Sequence, residues 1–241
     1  MPGRQPLRHV LRFNLDTWCA RLGKSVGSAF QSKGRCRLII ERVYDFLNVG
    51  EPPGKADCIF VFAGHQERKS YGIQLWREEW APRLILSVGR FEWRKFYGLD
   101  LPSDGGLKLL VERTAPKVRH FFVSFDGDDA RSVLVEKGRY GTLTEAQGLA
   151  QFIKNEGLQS LMVVSTSIHL RRVALALKAA LRGSHVRRTY VAVPENLSTL
   201  RREHLCSSQD VRREVWRELL KYLSYRFAFS VRPGILRGDR V

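Results

Sequence analysis

The chain has 241 residues, 44% of them hydrophobic, and a formal charge of +17. That length and apolar content predict one large packed domain and exclude wholesale disorder. No apolar run approaches the ~18 residues that cross a bilayer, and four widely spaced cysteines, Cys19, Cys36, Cys58 and Cys206, exclude a zinc ribbon or a C-x-x-C redox pair.

The positive charge lies at the flanks. Residues 1–55 hold 10 basic and 4 acidic side chains (+6), residues 56–181 hold 18 and 14 (+4), and residues 182–241 hold 13 and 6 (+7). Basic flanks suit nucleic acid or an anionic membrane surface. No basic motif interleaved with aromatics accompanies them, so nucleic-acid binding is not expected and a solvated surface is the plainer reading. Arg and Asp interrupt every apolar cluster from Leu7 to Leu22, which leaves no secretory core there. The expectation is a cytoplasmic protein with reduced thiols, with peripheral contact at the inner face of a membrane as the alternative.

In chain order, Leu7, Val10, Leu11, Leu15, Trp18 and Leu22 recur at helical spacing and predict an amphipathic helix over 1–23. Residues 24–34 are Gly/Ser-rich and read as a loop. Leu38, Ile39, Val43, Phe46 and Leu47 predict a second helix over 36–49. Gly50, Pro52, Pro53 and Gly54 then end a basic helical extension, assigned to residues 1–55. The main domain spans 56–230, and 231–241 is a basic tail.

Within that domain, continuous apolar runs stand at 58–63, 84–88, 120–125, 161–164 and 189–193. Helical patterns alternate with them at 66–80, 142–155 and 169–181, and a last helix covers 209–229. Uniformly apolar strands alternating with helices predict a three-layer α/β/α Rossmann-like domain, with a mostly parallel sheet of about five strands. Thr142, with Glu145 three residues on, reads as a capping box opening its helix.

In open parallel sheets, ligands bind beyond the carboxyl ends of the strands. Those ends are expected at Gly64 and His65, at Ser87, Gly89 and Arg90, at Asp126, and at Ser165, Thr166 and Ser167. Hydroxyls before the 169–181 pattern read as N-cap chemistry. They would aim a helix N-terminus, His169 and Arg172 at one place. Unpaired amides and a positive dipole end make such a terminus attract anions.

Several of these residues resemble a known family. Ala56 and Asp57 before a strand, then Gly64, Arg68, Trp76, Arg77 and the run Ala81 to Ser87 are similar to the YdcF/SanA/ElyC family of bacteria. So are Thr142 with Glu145, and Val164, Ser165, Thr166, His169 and Arg172, which are similar to its V-T-S-x-x-H-x-x-R pattern. Trp216, Glu218, Lys221 and Tyr222 resemble its terminal helix. The similarity runs over about residues 56–226. It implies a Rossmann-like domain with a polar cleft at the strand ends, a link to cell-envelope homeostasis, and S-adenosylmethionine or another nucleotide as ligand.

Each candidate residue has two readings. His169 is an acid/base group or ligand-orienting donor, or else a capping histidine. Glu145 is a carboxylate working with His169, or only part of the capping box. Arg172 lies one helical turn from His169 and grips an anion, pairs with Glu145, or does both. Arg68 faces the cleft, or pairs with Glu67 or Glu78. Gly64, Gly89, Arg90 and Thr142 line the same mouth. Ser87, Ser165 and Thr166 serve as hydrogen-bonding groups, since no G-x-S-x-G surrounds the serines. Asp126, Asp128 and Asp129 read as turn residues, with no complete metal-ligand set. Phe91, Trp93 and Phe96 pack a helix or form a lid. The expected partner is an anionic small molecule bearing a phosphate or nucleotide. The alternative is a non-catalytic adaptor docking on anionic membrane through its basic flanks.

Overall fold

The computed structural model describes residues 33–135 and 141–231. The expected helix over 1–23 and the tail beyond 231 lie outside them. The strands are β1 (Cys58–Val61), β2 (Arg83–Val88), β3 (Phe121–Asp126), β4 (Asp129–Leu134), β5 (Ser160–Ser165) and β6 (Arg187–Ala192). The α-helices are α1 (Lys33–Leu47), α2 (Gln66–Arg77), α3 (Trp93–Phe96), α4 (Leu107–Arg113), α5 (Gly141–Glu156), α6 (Ser167–Ala180) and α7 (Gln209–Val231). The strands form one sheet in the order β4-β3-β2-β1-β5-β6.

The apolar runs form this sheet because successive strand residues point to opposite faces and both faces are covered. Phe60, Phe62, Ile85, Leu161 and Val163 pack with Leu143, Leu149, Val173 and Leu177 of α5 and α6. Ile59, Val61, Leu84, Leu86, Met162 and Val164 pack with Tyr71, Leu75, Leu107 and Val111 of α2 and α4. Both faces being apolar, the structure is a three-layer α/β/α fold. Cys58 is a fully buried core residue. A third cluster joins Ile40, Tyr44 and Leu47 of α1 to Ile168, Leu205, Val211 and Val215. The basic segment before Gly50 thus contributes a packed helix. Among the described residues, no helix is long and apolar enough to cross a membrane.

Two features differ from the sequence reading. The sheet has a sixth strand, β4, and β3 runs antiparallel to both its neighbours. Asp126 and Asp129 face each other across a two-residue turn in which Gly127 adopts φ 57°. That left-handed position is the hairpin signal that a D-G pair carries. β4 is an edge strand and mostly exposed, so it shows no apolar run. Because β3 is antiparallel, Asp126 lies at the end of the sheet away from the β1 and β2 carboxyl ends. There it pairs with Arg83, whose Nε donates to it at 3.0 Å.

The start of β1 is tied to the start of β5. The Asp57 carboxylate accepts the Gln159 and Ser160 N–H groups at 2.8 Å each, and the Ser160 hydroxyl accepts the Asp57 N–H at 2.9 Å. These bonds hold the Asp57 carboxyl below its usual range. The chain leaves β1 toward β2 through α2 on one face. It leaves β5 toward β6 through α6 on the other. The gap between β1 and β5 is therefore the point where the strand order reverses, the place where open α/β sheets put a ligand crevice at the carboxyl ends.

Candidate anion-binding site

Three consecutive hydroxyls end β5, and each serves a different element. Ser165 Oγ lies 2.9 Å from His169 Nδ1. Thr166 Oγ1 accepts from Arg68 Nη2 at 2.8 Å. The Ser167 hydroxyl donates to the Tyr44 hydroxyl of α1 at 2.9 Å. Thr166 is the N-cap of α6 but makes no side-chain capping bond. The expected capping role is thus replaced by tertiary bonds. A buried group left without a partner costs about 1–3 kcal/mol, and all three hydroxyls are buried among groups that need one.

Arg68 crosses from the first turn of α2 over the end of β1. Its Nη1 donates to the Ala63 carbonyl at 2.6 Å and its Nη2 to Thr166, so one guanidinium bridges β1 and β5 at the crevice. The residue is only 6% exposed, and its Nε is buried with no hydrogen-bond partner. It makes no ion pair among the described residues. Glu67 instead accepts from the Ser198 hydroxyl and the Thr199 N–H, and Glu78 from Gln74 and Trp80. Burial pushes the Arg68 pKa down and outweighs the opposing pull of the Glu218, Glu145 and Glu92 carboxylates, none of which bonds it among the described residues. Gly64 lies directly over this group. Its φ is 133°, and a Cβ there would fall 2.7 Å from Arg68 Nη1. Only glycine combines that backbone with that approach.

Arg172 is the opposite case. Its Nε and Nη2 donate to the Glu218 carboxylate of α7 at 2.5 and 3.2 Å, and its Nη1 donates to the Thr142 hydroxyl. The Tyr225 ring lies 5.4 Å from its guanidinium carbon. Burial pulls Arg172 down, but the adjacent Glu218 overrules it and the pKa is raised. Burial likewise pushes Glu218 up, and Arg172 overrules that to leave it below the carboxylate range. Arg172 is thus neutralised by a bonded carboxylate, whereas Glu218 and Glu145 act on Arg68 only from a distance. The expected pair with Glu145 does not form.

Glu145 Oε2 accepts the Ala63 N–H at 3.0 Å, at the turn after β1. Among the described residues α5 runs from Gly141, which puts Thr142 inside the helix rather than at its cap. Instead, Thr142 serves the buried guanidinium of Arg172, a charge-assisted bond that outweighs an exposed cap. Its Oγ1 is also 3.5 Å from His169 Nε2. His169 is 6% exposed. Burial, then the positive charges of Arg172 and Arg68, hold its pKa well below the usual value. That shift favours the neutral imidazole, and added negative charge beside it would favour proton uptake.

The β2 end is arranged differently. Ser87 is fully buried, and its hydroxyl is engaged 2.8 Å from His120 Nε2. A Cβ on Gly89 would meet Glu92 Oε1 at 2.7 Å. Arg90 is exposed and stacks over the Phe91 ring at 4.7 Å. Phe91 is 78% exposed, whereas Phe96, the last residue of α3, is buried. Gly64, Arg68, Glu145, Ser165, Thr166 and His169 thus gather where β1 and β5 end. Arg172 and Thr142 stand behind His169. Ser87 lies apart with His120, and Gly89 and Arg90 stand at the outer rim.

Sequence reasoning missed Glu218 and Tyr225 as partners of Arg172, and His120 as partner of Ser87. The helical pattern over 209–229 placed Glu218 and Tyr225 on one helix, but only tertiary packing could bring them to Arg172. No protein-family model, curated protein or solved structure matches the chain.

Proposed function

We propose that the protein binds an anionic small molecule, bearing a phosphate or nucleotide, in the crevice between the carboxyl ends of β1 and β5. One observation carries this reading. Arg68 is buried at the switch point of the sheet, without an ion-pair partner and with its Nε unsatisfied. Burying a cation with no carboxylate bonded to it is costly, and an anion above Gly64 would supply that contact. The uncapped N-termini of α2 and α6 converge on the same crevice and add favourable dipole ends.

Roles follow from the geometry. Arg68 and the Gly64 backbone receive the anion, and Arg90 adds charge at the rim. His169 and Glu145 are the groups positioned for proton transfer, while Arg172 and Glu218 hold Thr142 against His169. Of the motif residues that resemble the YdcF/SanA/ElyC family, Gly64, Arg68, Glu145, Ser165, Thr166 and His169 fall around this crevice, which supports the same reading, and the resemblance extends the proposal to envelope homeostasis. The test is native mass spectrometry of the full chain and of Arg68→Met, with Arg68→Lys as a charge-keeping control. The expected result is a phosphorus-bearing compound on the wild type and on the lysine variant, lost from the methionine variant. A wild type carrying none, or a folded Arg68→Met carrying the same amount, overturns the proposal.

A further inference from the structure

Next to Gly64, on the side away from β5, lies a small recess between the β1–α2 and β2–α3 connections. Its walls are Gly64, Gln66, Lys69, Glu92, Lys95 and Phe96. The floor is the buried ring of Phe96. Lys69 is only 3% exposed and its ammonium is held by the Glu92 carboxylate. Lys95 is exposed and makes no ion pair among the described residues. Gln66 is the first residue of α2, whose N-cap His65 makes no side-chain bond. The recess therefore has two ammonium groups, one carboxylate and an uncapped helix N-terminus. It shares Gly64 with the crevice over Arg68.

We propose that this recess is a second anion seat, and that the ligand class is a diphosphate or its equivalent, with two adjacent anionic groups bridged over Gly64. This rests on the anion reading of the Arg68 crevice. The first group lies against Arg68, whose unsatisfied Nε is the independent sign of a missing anion. The second lies against Lys69, Lys95 and the α2 N-terminus. Glu92 is then the internal stand-in for it. In the free protein Glu92 neutralises Lys69, whose burial would otherwise be costly. An entering anion takes over Lys69, and Glu92 turns away toward solvent, where its side chain is already 22% exposed. Side-chain cations from α2 and α3, rather than a glycine-rich backbone cradle, do the holding. That fits a turn with a single glycine, Ala63-Gly64-His65 in sequence.

Glu92 also explains why the seat is selective. A single small anion gains little by displacing a carboxylate already bonded to Lys69. A diphosphate anchored over Arg68 brings its second group to Lys69 at high effective concentration and can displace Glu92.

The probes are inorganic phosphate and pyrophosphate, titrated calorimetrically into the full chain. The wild type is expected to prefer pyrophosphate by at least about tenfold. Lys95→Ala lowers that preference several-fold. Glu92→Gln raises pyrophosphate affinity, because the competing carboxylate is gone, and raises phosphate affinity less. Equal affinity for the two probes, with neither substitution changing their ratio, overturns the second seat and leaves the Arg68 crevice standing. No binding of either probe by the wild type overturns both. A Glu92→Gln variant that binds pyrophosphate more weakly, while unfolding at the wild-type temperature, makes Glu92 a ligand contact and overturns the stand-in.

Discussion

Replacing Glu218 by Gln removes a charge and little volume from the most enclosed ion pair near the site. The Glu218 side chain is 4% exposed and that of Arg172 is 11%. After the substitution, Arg172 keeps Thr142 and the face of Tyr225 but has no carboxylate. Breaking a buried pair from one side costs about 3–5 kcal/mol, because the remaining ion stays desolvated. In a domain of this size that corresponds to a fall in Tm of about 6–20 °C. Urea unfolding of the wild type and Glu218→Gln, with linear extrapolation, measures it directly. The double variant Arg172→Met/Glu218→Leu provides the control, since removing both charges restores most of the loss. A loss under about 1 kcal/mol for Glu218→Gln would mean that water reaches Arg172 and that the pair is effectively a surface one.

Two further predictions concern the crevice. The pKa of His169 is depressed on folding, so between its folded value and about 6.5 the unfolded chain binds a proton that the native state does not. Stability contributed by neutral His169 is therefore present above about pH 6.5 and lost as pH falls below it. The lowered pKa of Glu218 adds a separate loss only below about pH 4.5. Urea midpoints from about pH 7.5 to about pH 5 should fall for the wild type and fall less for His169→Gln; parallel curves would refute this. Gly64→Ala forces a side chain into φ 133° and onto the Arg68 guanidinium. It should cost about 1–3 kcal/mol and weaken phosphate binding, and wild-type values for both would show that the turn relaxes freely.

The helices and the buried strands were legible because their signals are local. Uniformly apolar runs at β1, β2 and β5 mark strands covered on both faces, and they formed as expected. β4 was not legible, because an exposed edge strand needs no apolar run. With β4 missed, the direction of β3 was misread, and Asp126 was placed at the wrong end of the sheet. Capping was overestimated for a related reason. Thr142 and the Ser165–Ser167 hydroxyls stand at helix starts, where isolated helices use them as caps. In the fold, buried partners from α1, α2 and α6 claim them instead.

The sequence by itself determined the layered α/β fold and the polar stretch at the end of β5. Both follow from which residues can be buried and at what spacing. Only the tertiary structure decided between the two arginines. Arg172 and Arg68 look alike in sequence, each near the start of a helix that follows a strand. Glu218 arrives from α7 to bond the first, and no carboxylate bonds the second among the described residues. That difference depends on which distant side chain packs where, and it makes Arg68, with Gly64 above it, the centre of the proposed site.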